Sequence, residues 1–128
     1  MIEIKECSKS FGTLLAVNDV SLDIGEREVF GLIGNNGAGK STLLRMAAGI
    51  LKQDKGNVRI DDMEVYDNAA AKEKVFYISD ECYFPANFTS GDIAAFYQVH
   101  YPKFEIQRFS KLMRQFQLDA KQKVSSFS

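Results

Sequence analysis

The sequence has little with which to cross a membrane, grip nucleic acid or staple itself together. None of its apolar runs approaches the length of a membrane span. Its 16 basic and 17 acidic side chains leave a net charge of −1, so no basic surface points to nucleic acid. Its two cysteines, Cys7 and Cys82, are far apart and form no C-x-x-C pair. A reduced cytosolic setting is the simplest reading, although two thiols by themselves permit a disulfide. The opening residues, Met1-Ile2-Glu3-Ile4-Lys5, alternate like a strand and lack the apolar run of a secretion signal. Internal repeats and low-complexity segments are lacking. So is an N-K-x-D motif for reading guanine, which tells against a GTP-dependent switch. The 128 residues, 45% hydrophobic and 26% charged, suit one small soluble domain or part of a larger one.

What the chain does have is Gly34-Asn35-Asn36-Gly37-Ala38-Gly39-Lys40-Ser41-Thr42. This fits G-x-x-x-x-G-K-[ST], the phosphate-binding P-loop. A triphosphate carries several negative charges that must be met at close range. Glycines let the backbone approach the phosphate oxygens, and successive N–H groups form an anion-binding nest at the positive end of the following helix. Lys40 adds a point charge for the β- and γ-phosphates, Ser41 offers a hydroxyl to Mg²⁺, and Thr42 is placed to donate to an α-phosphate oxygen. The context fits. Val29-Phe30-Gly31-Leu32-Ile33 is a short apolar run, expected to be a strand covered on both faces. Leu43, Leu44, Ala47 and Ala48 make an apolar helical stripe that faces away from Arg45, and Gly49 is placed as a C-terminal cap. A glycine-rich turn with no ligand would have no need of Lys-Ser after its last glycine.

Strands precede this loop: Ile2 and Ile4 alternate with Glu3 and Lys5, and Val20, Leu22 and Ile24 with Ser21 and Asp23. Gly25-Glu26 then makes a turn. Small nucleotide kinases and Ras-like switches, whose P-loop follows their first strand, are thereby disfavoured. Phe11-Gly12 sits in the turn between the early strands. Phe11 either stacks on a purine or packs within the small β-subdomain. After Gly49 the pattern predicts a strand at Asn57–Ile60, a tight turn at Asp61-Asp62 and a second short strand at Glu64-Val65-Tyr66. One helical turn at Ala69–Lys72 and a buried strand at Val75-Phe76-Tyr77-Ile78 follow. Ser79 to Phe88 reads as a loop with Asp80, Glu81, Tyr83, Phe84 and Pro85. Thr89-x-x-Asp92 resembles a capping box opening a helix through about Val99, and Tyr101-Pro102 breaks it. A second helix, about Glu105–Gln117, presents Ile106, Phe109, Met113 and Phe116 as a core stripe. His100 is read as structural.

In this order, these features resemble the ATP-binding subunit of an ABC (ATP-binding cassette) transporter over the whole chain. Phe11 falls where the family has its adenine-stacking aromatic, and Gly34–Thr42 matches Walker A with the family-typical Asn-Gly-Ala-Gly-Lys-Ser-Thr ending. Gly49-Ile50-Leu51-Lys52 and Lys55-Gly56 are similar to the segment after the Walker A helix, and Tyr77–Asp80 to the Q-loop. The resemblance implies an α/β P-loop NTPase fold of the ABC nucleotide-binding type. It would have an N-terminal antiparallel β-subdomain and a truncated α-helical subdomain, divided as an ATP-binding core over 1–79 and a helical part over 80–128. It implies ATP and Mg²⁺ as cofactors, with Phe11, Asn35, Asn36, Gly37, Ala38, Gly39, Lys40, Ser41 and Thr42 binding nucleotide and Ser41 and Asp80 binding metal. The implied partners are a transmembrane permease subunit and a second nucleotide-binding subunit arranged head-to-tail, with no nucleic acid. The implied location is cytoplasmic, peripheral on the cytoplasmic face of the membrane.

Two departures stand out. Asp80 takes the place of the Q-loop Gln; it either holds Mg²⁺ directly or through water, or merely ends a strand. Val124-Ser125-Ser126-Phe127-Ser128 is similar to the approach to the signature motif, with Phe127-Ser128 at its Leu-Ser. The signature glycines, Walker B and its Glu, and the switch His are not in the sequence, so the resemblance predicts a piece of a longer protein that is inactive alone. Tyr83, Phe84, Pro85 and Phe88 either dock a helix of the membrane partner or pack into their own lobe. The alternatives are a hydrolysis-incompetent nucleotide-binding fragment and a soluble ABC ATPase outside transport.

Overall fold

The computed structural model describes residues 1–80 and 84–127. The chain divides into two units, Met1–Ile78 and Ser79–Ser128.

In the first unit, β1 (Ile2–Phe11) and β2 (Leu14–Ile24) form a long antiparallel hairpin, closed by Gly12-Thr13. β3 (Lys55–Ile60) pairs with the other edge of β1, and the short β4 (Met63–Glu64) folds back on β3, giving a four-stranded sheet in the order β2-β1-β3-β4. The turn into β4 is Asp61-Asp62, with Ile60 opposite Met63 and φ of 47° and 64° at the two aspartates. Two positive φ values across a two-residue loop match the right-handed twist of the strands it joins. The β1 register slips between Ile4 and Cys7, where Glu6 has φ 48°, so the strand bulges.

The helix α1 (Lys40–Ala47) lies against this sheet. Leu43 and Met46 are its buried residues, packed in one cluster with Ile4, Val17, Val58 and Val65. The expected stripe is thus corrected in part. Met46 is fully buried, whereas Leu44 is 48% exposed. A rotation of 100° per residue takes Leu44 past the sheet and brings Met46, three beyond Leu43, back over it. Gly49 (φ 67°) ends the helix and donates its N–H to the Met46 carbonyl. A Cβ there would come within 2.7 Å of the Val65 carbonyl oxygen. The single turn α2 (Ala69–Lys72) is capped by the Asn68 side chain, which accepts from the Ala71 N–H, and it buries Ala71.

Two expected strands do not form. Val29–Ile33 and Val75–Ile78 have no strand assignment among the described residues, and Val29, Phe30, Ile33, Phe76 and Ile78 are all exposed. A strand covered on both faces needs neighbours to complete its ladder, and the four-stranded sheet takes up neither run.

In the second unit, α3 (Ser90–His100) begins with the expected capping box. Thr89 Oγ1 accepts from the Asp92 N–H at 3.1 Å, and the Asp92 carboxylate accepts from the Thr89 N–H at 2.8 Å. Its start is tied to the end of the chain by an antiparallel bridge between Thr89 and Lys123 and by the Gly91 N–H donating to the Ala120 carbonyl. α4 (Ile106–Gln115) follows, then a 3₁₀ turn at Val124–Ser126. The predicted core stripe on α4 is only partly covered: Phe109 and Met113 are half-buried, while Ile106 and Phe116 are exposed. The described rings pack in a chain instead, Tyr97 on Phe104 and Phe104 on Phe109, and His100 stacks on Phe96 with centroids 4.1 Å apart. His100 Nδ1 lies 2.8 Å from the Phe96 carbonyl oxygen, in keeping with a structural role.

Candidate functional site

The loop Gly34–Gly39 connects an exposed apolar segment to α1, and its shape is set by two glycines. Gly37 and Gly39 have φ of 82° and 83°, a region that side chains bearing a Cβ rarely adopt. Gly39 is also the N-cap of α1, and no side chain caps that helix. The first N–H groups of α1 therefore face outward without the Ser, Thr or Asp oxygen that usually meets them. No acidic residue sits in the first turn either, so nothing there opposes an incoming anion.

Lys40 opens α1 and turns back across the loop. Its Nζ donates to the carbonyl oxygens of Gly34 and Asn35, both at 2.7 Å. The Ala38 N–H donates to the Asn35 carbonyl at 3.2 Å, closing the turn at the loop's tip. The ammonium is thus held over the ring of backbone that the glycines bend into place. Ser41 and Asn36 are exposed, and Thr42 is half-buried at the first turn of the helix.

The loop is fixed to the sheet through Gly39. A Cβ on Gly39 would lie 2.0 Å from the Ala16 carbonyl oxygen, so α1 starts directly against β2. A cavity of about 240 Å³ lies along this junction, lined by Val17, Val20 and Leu22 of β2 and by Leu32, Gly39 and Lys40. Phe11 pairs with Leu14 at the tip of the same hairpin, two residues before Ala16. Phe11 is 48% exposed, and Lys9 Nζ sits 5.8 Å from its ring centroid. The sheet therefore carries Phe11, Gly39 and Lys40 in one unit. Sequence reasoning missed Lys9 and its partner Asp54, because they meet only once β1 and the loop before β3 are folded together.

The other expected residues divide by location. Asp80 is exposed and belongs to the second unit. Among the described residues no group of three or more His, Cys, Asp or Glu side chains is placed to hold a metal ion. No helix among them is long and apolar enough to cross a membrane. Phe84, Pro85 and Phe88 are half-buried. Glu81, Cys82, Tyr83 and Ser128, which carry parts of the loop, thiol and signature-motif expectations, lie outside the described residues. Cys7 is buried, with Sγ 3.1 Å from the Asn57 carbonyl oxygen, and burial pushes its thiol pKa up, away from reactive thiolate.

Known proteins similar to this chain fall in one family. The ABC transporter family model matches residues 17–128. The chain is 30% identical over its full length to the ABC transporter ATP-binding protein YtrB of Bacillus subtilis (strain 168), covering 44% of that protein. It is 52% identical over 67 residues, 52% of its own length, to the methionine import ATP-binding protein MetN of Clostridium tetani (strain Massachusetts / E88), covering 21% of that protein. The chain thus spans less than half the length of either relative. The solved structure of an ATP binding subunit of an ABC transporter superposes with a TM-score of 0.86 at 24% identity, over 100% of this chain and 56% of the other. A dimeric ATP-binding cassette in a post-hydrolysis state, bound to ADP and Pi, superposes with a TM-score of 0.81 at 20% identity, over 100% and 63%. These two structures share the P-loop NTPase fold of ABC cassettes. On the family match over residues 17–128, the chain belongs to the ABC transporter family.

Proposed function

We propose that this chain is the nucleotide-gripping part of the ATP-binding subunit of an ABC transporter. The observation that carries the reading is Lys40 Nζ, held 2.7 Å from two loop carbonyls at the uncapped start of α1, between glycines bent to positive φ. An ammonium and the uncapped N–H groups of a helix start lie together there, and the first turn of α1 holds no acidic side chain. That is the chemistry a polyphosphate requires. Asn35, Asn36, Gly37, Ala38 and Gly39 supply the backbone cradle, Lys40 the charge, and Ser41 and Thr42 the hydroxyls. Phe11 supplies a face for the base.

Mg²⁺ would screen the phosphate charge and polarise the terminal phosphoryl group. The exposed Ser41 hydroxyl suits one of its oxygen ligands. Asp80 is proposed as another on its place in the sequence alone. In the complete protein, Lys40 and the loop amides would stabilise charge on the transferred phosphoryl group while a water attacks in line. These 128 residues alone would bind Mg-ATP weakly and hydrolyse it slowly at most.

The relatives named as transporter and import ATP-binding proteins support coupling to a permease. The dimeric state of a cassette of the same fold supports pairing with a second nucleotide-binding subunit, for which the family resemblance implies a head-to-tail arrangement. Such a subunit works peripherally on the cytoplasmic face of a membrane. The segment around Phe84, Pro85 and Phe88 is the proposed permease contact.

Titration of ATP against the full-length protein and its Lys40→Ala variant tests the reading. Loss of a charge-assisted hydrogen-bond donor should weaken binding about tenfold or more. Unchanged affinity would overturn it.

A further inference from the structure

Asp54 lies in the segment between α1 and β3, yet it makes three hydrogen bonds to the end of β1. One carboxylate oxygen accepts from Lys9 Nζ at 2.6 Å, and the other accepts from the Ser10 N–H at 2.8 Å. Its own N–H donates to the Ser8 carbonyl at 2.9 Å. One residue therefore grips Ser8, Lys9 and Ser10 in succession, and the next residue is Phe11. The Lys9 side chain is only 15% exposed, unlike an ordinary surface lysine. Its ammonium bonds the Asp54 carboxylate and also lies over the ring of Phe11, within cation–π range at 5.8 Å.

We propose that Asp54 is a positioning residue for the nucleotide base, acting through Lys9 and the end of β1 to hold the ring of Phe11 as a stacking platform. The proposal rests on the reading of Phe11 as the base-stacking residue. A half-exposed phenylalanine at a hairpin tip is free to turn about its side-chain torsions, and stacking must then oppose that entropy. The Lys9 ammonium removes the freedom by occupying one face of the ring, which leaves the opposite face for a base. The hydrogen bonds from Asp54 to the β1 backbone fix where the tip stands. Because β2 abuts the phosphate loop at Ala16 and Gly39, fixing the tip also fixes the spacing between ring and loop. Asp54 thereby acts on the base end of the ligand and leaves the phosphate end alone.

The test is a pair of titrations, ATP and inorganic tripolyphosphate, on the full-length protein and its Phe11→Ala, Asp54→Ala and Phe11→Ala/Asp54→Ala variants. Asp54→Ala should weaken ATP binding about fivefold, leave tripolyphosphate binding unchanged, and add nothing to Phe11→Ala in the double variant. Equal weakening of both ligands, or additive losses, would mean general loosening of the fold and would overturn the proposal. Weakening by Phe11→Ala with no change on Asp54→Ala sinks the proposal and leaves the stacking reading standing. An unchanged ATP-to-tripolyphosphate ratio in Phe11→Ala sinks both. Lys9→Met guards against misfolding, because it removes the cation and keeps both backbone bonds of Asp54. It should lower ATP affinity with tripolyphosphate affinity intact, and no selective loss would count against the role of Lys9.

Discussion

Gly39 and Ala16 touch so closely that a single added carbon would collide. A Cβ at Gly39 would stand 2.0 Å from the Ala16 carbonyl oxygen, on backbone already at φ 83°. Gly37 has nearly the same φ but nothing within 4 Å of its missing Cβ. Gly37→Ala should therefore cost only backbone strain, about 1 kcal/mol. Gly39→Ala must also push α1 off β2 and should cost about 3 kcal/mol or more. Chemical denaturation of both variants checks this, and equal losses would contradict the contact.

The burial of α1 makes a second contrast. Met46→Ala removes a fully buried side chain from the cluster under the sheet and should destabilise the chain by about 2–5 kcal/mol. Leu44→Ala, at a half-exposed position on the same helix, should cost less than about 1 kcal/mol. Denaturant midpoints at constant slope would register the difference.

Asp61 gives a prediction in pH. Its carboxylate accepts from Lys74 Nζ at 2.5 Å and from the N-terminal ammonium at 2.7 Å. The Lys74 bond first, then the terminal amine, lower its pKa to about 2. The unfolded chain binds the proton more readily, at about pH 3.9. The stabilisation is therefore complete above about pH 4 and disappears as pH falls through about 2. Melting temperatures between pH 4.5 and 2, taken as about the working range, should fall more steeply for the native chain than for Asp61→Asn. Parallel curves would show that the bridge contributes nothing.

The segment before the phosphate loop is a liability in these 128 residues. Val29 and Ile33 are exposed, with Ile33 96% accessible, and exposed apolar backbone of this kind recruits other chains. Expressed as this length alone, the chain should self-associate with rising concentration, and Ile33→Lys should suppress the association. Sedimentation that finds a monomer at all concentrations would refute this.

Features decided within a few neighbouring residues were legible in the sequence. The Thr89–Asp92 capping box, the Asp61-Asp62 turn, the single turn at Ala69–Lys72 and the glycine bends of Gly34–Gly39 each depend on local torsions and nearby hydrogen bonds. The apolar runs at 29–33 and 75–78 read as buried strands because hydrophobicity records a tendency to be covered. Whether a strand forms depends on a partner that sequence pattern does not supply.

Residue chemistry along the chain therefore determined that a lysine and a bent ring of amides stand at a helix start, since the bends need glycine and the helix follows at once. Only the folded arrangement decided that Met46 rather than Leu44 enters the core, that Gly39 seats on Ala16, and that Asp54 reaches Lys9 from 45 residues away. Those outcomes depend on which surfaces are brought face to face, and that information lies in the pairing of distant strands.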